Sequence, residues 1–205
     1  MNRCFIVFTK FFDDLNSKTK LRAQIDHKIV NDFNKACFLT IKNKFKNEDI
    51  FWSVNSLEKS IHSSYEKLKI IFQEGENLAD FVIHSINQVK NDYDQIGILG
   101  SDCPQINLDQ IKTSKADYKI GKCLDGGFYY FEFPNTLDLN VFRNVRYSTE
   151  FACDDLLHNI ADEVNLLPIG FDVDTLEDFV KIKKHYLDGS LDDPEMVKFF
   201  EGQHG

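Results

Sequence analysis

The chain has 205 residues, the size of one domain, and is long enough to bury a core without disulfide or metal staples. Its 33 acidic side chains outnumber 24 basic ones for a net charge of -9, which argues against a generic nucleic-acid or anionic-membrane binder. No run approaches the ~18 apolar residues of a membrane span, and five cysteines without C-x-x-C spacing read as reduced, buried thiols.

Residues 4–8, Cys-Phe-Ile-Val-Phe, form a continuous apolar run that suits a strand buried on both faces. The run is too short for a signal-peptide core, which makes the cytoplasm the default location. A polar loop with Lys10, Asp13, Asp14 and Asn16 follows. Residues 21–44 read as one long helix, with Ile25, Ile29, Val30, Phe33, Ala36 and Cys37 at helical spacing. Short strands are expected at 50–54, 70–72, 96–99, 116–120, 128–133 and 166–169, and helices at 78–89, 108–113, 150–160 and 176–186. Alternating strands and helices predict a single-domain α/β three-layer sandwich with a mostly parallel sheet over residues 1–187. Residues 188–205 read as a polar acidic tail with a short helix at 194–200, where Phe199 and Phe200, if exposed, would mark a contact surface.

In open α/β sheets ligands bind outside the carboxyl ends of the strands, so the loops that follow strands carry the chemistry. Lys18, Lys20 and Arg22 bring three cations to a helix start, where Thr19 or Ser17 also reads as a simple cap; such a start favours an anion such as a nucleotide diphosphate. Gly100-Ser101-Asp102-Cys103-Pro104 follows an apolar strand. Asp102 there suits a hard divalent cation or an Asx turn, and Gly100 allows close backbone approach. Asp125-Gly126-Gly127 reads as a hairpin turn, and also as a place where Asp125 orients or deprotonates a hydroxyl beside two small residues. Asp172-Val173-Asp174-Thr175 offers two carboxylates that converge on a cation if the segment is irregular, or an N-cap for the last long helix.

Taken in order, these loops resemble a bacterial glycosyltransferase family of the nucleotide-diphospho-sugar transferase superfamily, with the GT-A type of fold. Lys18-Thr19-Lys20-Leu21 is similar to its K-T-R-L, residues 73–81 to Q-x-G-x-D-L-G-E-R, and Gly100, Asp102 and Pro104 to G-x-D-x-P. Asp125-Gly126-Gly127-Phe128-Tyr129 is similar to its D-G-G-Y-Y, Tyr147-Ser148-Thr149 to W-S-T, and residues 172–178 to D-V-D-T-x-E-D. The chain departs from the pattern at Asn77, Phe81 and Leu124, which replace two carboxylates and an arginine.

The resemblance implies a transferase that moves a sugar from a nucleotide-diphosphate donor, with Mg²⁺ or Mn²⁺ held by Asp102, Asp174 and Asp172. It implies phosphate contacts from Lys18, Thr19, Lys20 and Arg22, close backbone at Gly100, Gly126 and Gly127, and Asp125 as the catalytic carboxylate. Tyr129 and Tyr147 are candidates for a sugar-stacking face, or for core. Two other readings stay open: a nucleotidyltransferase of the same superfamily, and a binding protein that keeps the fold without catalysis. The absence of glycine before Gly75 favours the glycosyl reading over a Gly-rich triphosphate loop.

Overall fold

In the computed structural model of the chain, which describes residues 2–10, 14, 16–55 and 67–203, the first apolar run forms β1 (Arg3–Thr9). Asp13 of the polar loop lies outside the described residues. Successive side chains of a strand point to opposite faces. Cys4 and Ile6 therefore enter one core while Phe5 and Val7 enter another. Burial on both faces is what the unbroken apolar run requires.

The remaining strands are β2 (Asp49–Val54), β3 (Lys69–Phe72), β4 (Gln95–Gly100), β5 (Lys119–Lys122), β6 (Phe128–Pro134) and β7 (Asn165–Leu166). They form a seven-stranded sheet in the order β3-β2-β1-β4-β6-β5-β7. Only β6 runs against its neighbours, pairing antiparallel with β4 and β5; the other pairings are parallel. The α/β sandwich with a mostly parallel sheet is thus the architecture of this chain.

The helices are α1 (Thr19–Arg22), α2 (His27–Lys44), α3 (Leu78–Asn87), α4 (Leu108–Thr113), α5 (Ala152–Asn159), α6 (Leu176–Leu187) and α7 (Pro194–Gly202). On one face Val82 and Ile86 of α3 and Leu156 of α5 pack on Ile96, Phe131 and Phe133. On the other, Phe38 and Ile41 of α2 and Ile111 of α4 pack on Phe5, Trp52 and Tyr130. Outside α2, the third core joins Phe33 to Val173, to Ile182 of α6 and to Met196, Phe199 and Phe200 of α7. Phe199 and Phe200 are therefore buried, and the 188–203 stretch folds back onto α2. No helix among the described residues is long and apolar enough to cross a membrane.

Three expected elements differ, one of them by a shift: the strand expected over 116–120 is β5 at Lys119–Lys122. The long helix predicted over 21–44 is two, because Asp26 turns its carboxylate onto the Lys28 N–H at 2.8 Å and starts α2 afresh. The strand predicted over 166–169 holds the ladder only at Asn165 and Leu166. Pro168 has no N–H to continue it, and the chain rejoins the sheet at Gly170, opposite Cys123.

Candidate functional site

A cleft of about 830 Å³ opens at the carboxyl ends of β1 to β4. Thr9 closes β1, Asn55 follows β2, Gln73 follows β3, and Ser101 and Asp102 follow β4; all line it. Parallel pairing of β1 with β2 and β4 sets these ends side by side. Ser101 seals one seam, its N–H donating to the Phe8 carbonyl at 3.1 Å and its hydroxyl to Thr9 Oγ1 at 2.9 Å.

The loop after β1 supplies the cleft's cations. Arg22 is buried and folds this loop from within: its Nε donates to the Ser17 carbonyl at 2.7 Å and its guanidinium to the Asp14 carbonyl at 3.2 Å. It is not among the cleft-lining residues. Lys18, Thr19 and Lys20 do line the cleft, with Thr19 and Lys20 exposed. The helix they open is a single turn, and Lys18 stands at its start in the left-handed region, φ 50 and ψ 44. A side chain-bearing residue adopts that conformation at a cost, when its surroundings enforce it.

Lys18 Nζ donates to Asp102 Oδ2 at 2.8 Å and to Asp174 Oδ1 at 2.8 Å. Burial alone would push its pKa down, but the two carboxylates outweigh burial and raise it. Asp102 answers in kind: burial works to raise its pKa, and Lys18 holds it below the usual value. Gly100 leaves room for this carboxylate, since a Cβ there would lie 2.6 Å from Asp102 Oδ1.

Residues 171–174 are irregular, and Val173 turns fully inward between the two aspartates. Oxygens of Asp102, Asp172 and Asp174 come within 4.8 Å of one another. The cap of α6 is Thr175, which with Asp178 forms a reciprocal capping box, so Asp174 is released from that duty. Asp172 has its carboxyl raised to about 7, by burial first and then by the charges of Asp102, Asp174 and Asp125. Three hard oxygen donors around a locally negative point fit Mg²⁺ or a cation like it.

Asp125 belongs to a second group that shares Asp172, its carboxylate within 4.8 Å of Asp172 and the Cys123 thiol. The hairpin turn expected here is present, with the Gly127 N–H donating to Asp125 Oδ1 at 2.9 Å. Gly126 has φ 89 and lies so close to the next segment that a Cβ would meet the Glu150 carbonyl oxygen at 2.0 Å. Gly126 and Gly127 thus shape the turn and do not line the cleft. Tyr129 and Tyr147 give their hydroxyls to the Pro168 and Phe142 carbonyls, at 3.1 Å each.

Sequence reasoning missed several lining residues. Asn55 and Gln73 arrive on the ends of neighbouring strands, and Ser148 arrives in a left-handed conformation, φ 60. Among the described residues three non-glycines have such a φ, and two of them, Lys18 and Ser148, line this cleft. Of the departures from the motif pattern, Asn77 caps α3 by accepting from the Asp80 N–H, Phe81 lines the cleft, and Leu124 is exposed.

The fold and this strand-end cleft define the class, the nucleotide-diphospho-sugar transferase type of fold. A Desulfovibrio desulfuricans G20 protein provisionally named a nucleotide-diphospho-sugar transferase superposes with TM-score 0.87 at 18% identity, over 100% of this chain and 96% of its own. A manganese complex of Rv0371C from Mycobacterium tuberculosis H37Rv follows at TM-score 0.55 and 15% identity, covering 89% of this chain and 98% of its own. A CMP:2-keto-3-deoxy-manno-octonic acid synthetase complexed with CTP superposes at TM-score 0.58 and 9% identity, over 92% and 100%. No curated protein matches the sequence. Residues 39–149 match the family described as uncharacterized protein conserved in bacteria (DUF2064), and the chain belongs to that family. The matched span holds Asp102 and Asp125, while Lys18, Asp172 and Asp174 lie outside it.

Proposed function

We propose that the chain is a transferase that takes a nucleotide-diphosphate sugar as donor and passes the sugar to a hydroxyl acceptor. The observation that carries this reading is the meeting of Lys18, Asp102 and Asp174 at the mouth of the cleft. Asp102, Asp172 and Asp174 would hold a divalent cation, Mg²⁺ or Mn²⁺. When bound, the cation offsets the charge that develops on the leaving diphosphate.

The chain's own groups do the rest. Lys18 and Lys20 bind the phosphates as point charges. Phe81 and Leu78, which line the cleft, give the nucleoside an apolar wall. Asp125 stands beside the acidic cluster and, ionised, accepts the proton of the acceptor hydroxyl. The acceptor oxygen bonds to the anomeric carbon, and the bond from that carbon to the diphosphate oxygen breaks.

A thermal-shift panel of UDP, GDP, CDP and dTDP and the matching triphosphates, each with and without Mn²⁺, tests this reading. A ligand at 100 times its Kd adds ~2.7 kcal/mol, which at this chain length moves the midpoint by roughly 5–10 °C. A cation-dependent shift with one diphosphate is expected and names the base. A shift confined to triphosphates replaces glycosyl by nucleotidyl transfer, the reading that the CTP-bound structural neighbour keeps in view. No shift with any of them overturns both.

A further inference from the structure

We propose that the Lys18 ammonium occupies the cation position of the free protein, so that divalent cation and anionic ligand bind only weakly alone and strongly together. The inference rests on the reading of Asp102, Asp172 and Asp174 as cation ligands. Nζ sits 2.8 Å from one oxygen of Asp102 and 2.8 Å from one of Asp174. An ion bonded to those oxygens competes with the ammonium for them directly, and two cations at such range repel.

The displaced ammonium has somewhere to go. Lys18 borders the cleft as well as the acidic cluster, next to Thr19 and Lys20. Its side chain is 9% exposed, so the lysine is fitted into the cluster and does not hang over it. The loop that carries it is held by Arg22, whose guanidinium donates to the Ser17 and Asp14 carbonyls.

The charge balance then sets the coupling. With Lys18 in the cluster, one ammonium faces three carboxylates, and the mouth of the cleft repels a diphosphate. With a divalent cation there, two positive charges in place of one offset the carboxylates, and the ammonium is released toward the phosphates. Each ligand therefore strengthens the other, by the same factor in either order.

The test is Mn²⁺ binding to the full chain, followed by loss of the free-ion paramagnetic resonance signal and by melting midpoint. It is run on the natural chain, on Lys18→Met and Lys18→Gln, which remove the charge, and on Lys18→Arg, which keeps it. UDP, GDP, CDP and dTDP are each added in turn. Both neutral variants should bind Mn²⁺ alone at least tenfold more tightly than the natural chain, and Lys18→Arg should not. In the natural chain one diphosphate should strengthen Mn²⁺ binding at least tenfold, and in Lys18→Met that gain should shrink. Neutral variants that bind Mn²⁺ no better than the natural chain, while Asp102→Asn weakens cation binding, overturn the coupling and leave the cation site standing. Absence of Mn²⁺ binding in every variant, with every diphosphate, overturns the site and the coupling together.

Discussion

Glu132 and Asp102 each accept a lysine ammonium at 2.8 Å, yet their surroundings are opposite in kind. Glu132 faces Lys119 across the β5–β6 ladder, takes Arg3 at 3.1 Å and also accepts the Tyr130 hydroxyl. Its side chain and that of Lys119 are each 1% exposed, and neither lines a cleft. Gly97 belongs to this arrangement, because a Cβ there would lie 2.8 Å from the Tyr130 hydroxyl oxygen. Two cations and a hydroxyl thus satisfy one carboxylate, and the cluster is sealed. Around Lys18 the ratio is reversed: one ammonium meets two carboxylates directly and a third nearby, at the mouth of a cleft. A short ion pair therefore says little about role. The surplus of one charge sign and the open access distinguish a binding site from a structural network.

Breaking the sealed network should cost the most. Glu132→Gln leaves Lys119 buried, and Arg3 half-buried, beside a neutral amide, and about 3–5 kcal/mol of stability should go with it. Chemical denaturation checks this, with the ligand-induced thermal shift retained by the folded variant. A loss as small as a surface pair's would erase the distinction drawn above.

Asp172 is next. Its carboxyl stands at about 7 in the folded chain, above the ordinary value, so the folded state keeps a proton that the unfolded state has released. Stability of the cation-free protein should therefore fall as pH rises from about 4 to about 7, by on the order of 3 kcal/mol from this group. Asp172→Asn should remove that slope and melt higher than the natural chain at pH 8. Melting curves in EDTA between pH 4 and 8 measure it; parallel curves for the two proteins would refute it.

Asp102→Asn should weaken cation-dependent nucleotide binding at least tenfold, or about 1.4 kcal/mol. Its unliganded midpoint should stay close to that of the natural chain, because Asp174 remains bonded to Lys18 with Asp172 nearby. A fall in midpoint comparable to that of Glu132→Gln would make the Lys18 cluster structural after all. The smallest effect belongs to the exposed pair Lys69–Asp49, 2.7 Å apart with side chains 54% and 46% exposed. Lys69→Ala should move the midpoint by less than about 3 °C, since solvent screens such pairs.

Much of the fold was legible because burial writes a period into a strand or helix. The run at 4–8 reads as a doubly buried strand and is one, and the capping pattern around Thr175 marks the start of α6. The reversed direction of β6 was not legible, since a strand's apolar pattern is the same read either way along the sheet. The break before Asp26 was missed because the apolar spacing continues across it while one side-chain bond starts a new helix. In the site, the strand-end loops with Asp102, Asp125, Asp172 and Asp174 stood out as residues. Arg22 looked like another free cation, and only the carbonyls of its own folded loop show why it lines no cleft.

The sequence by itself determined most of the strands, helices and polar loops, though not all of their bounds, because those follow from the local spacing of apolar, capping and turn residues. The tertiary structure alone decided that Lys18 meets Asp102, 84 positions away, and Asp174, 156 positions away. Loops at the carboxyl ends of neighbouring parallel strands become adjacent whatever their distance along the chain. Charge balance, and with it the difference between a sealed network and a binding site, exists only as a sum over groups that are close in space.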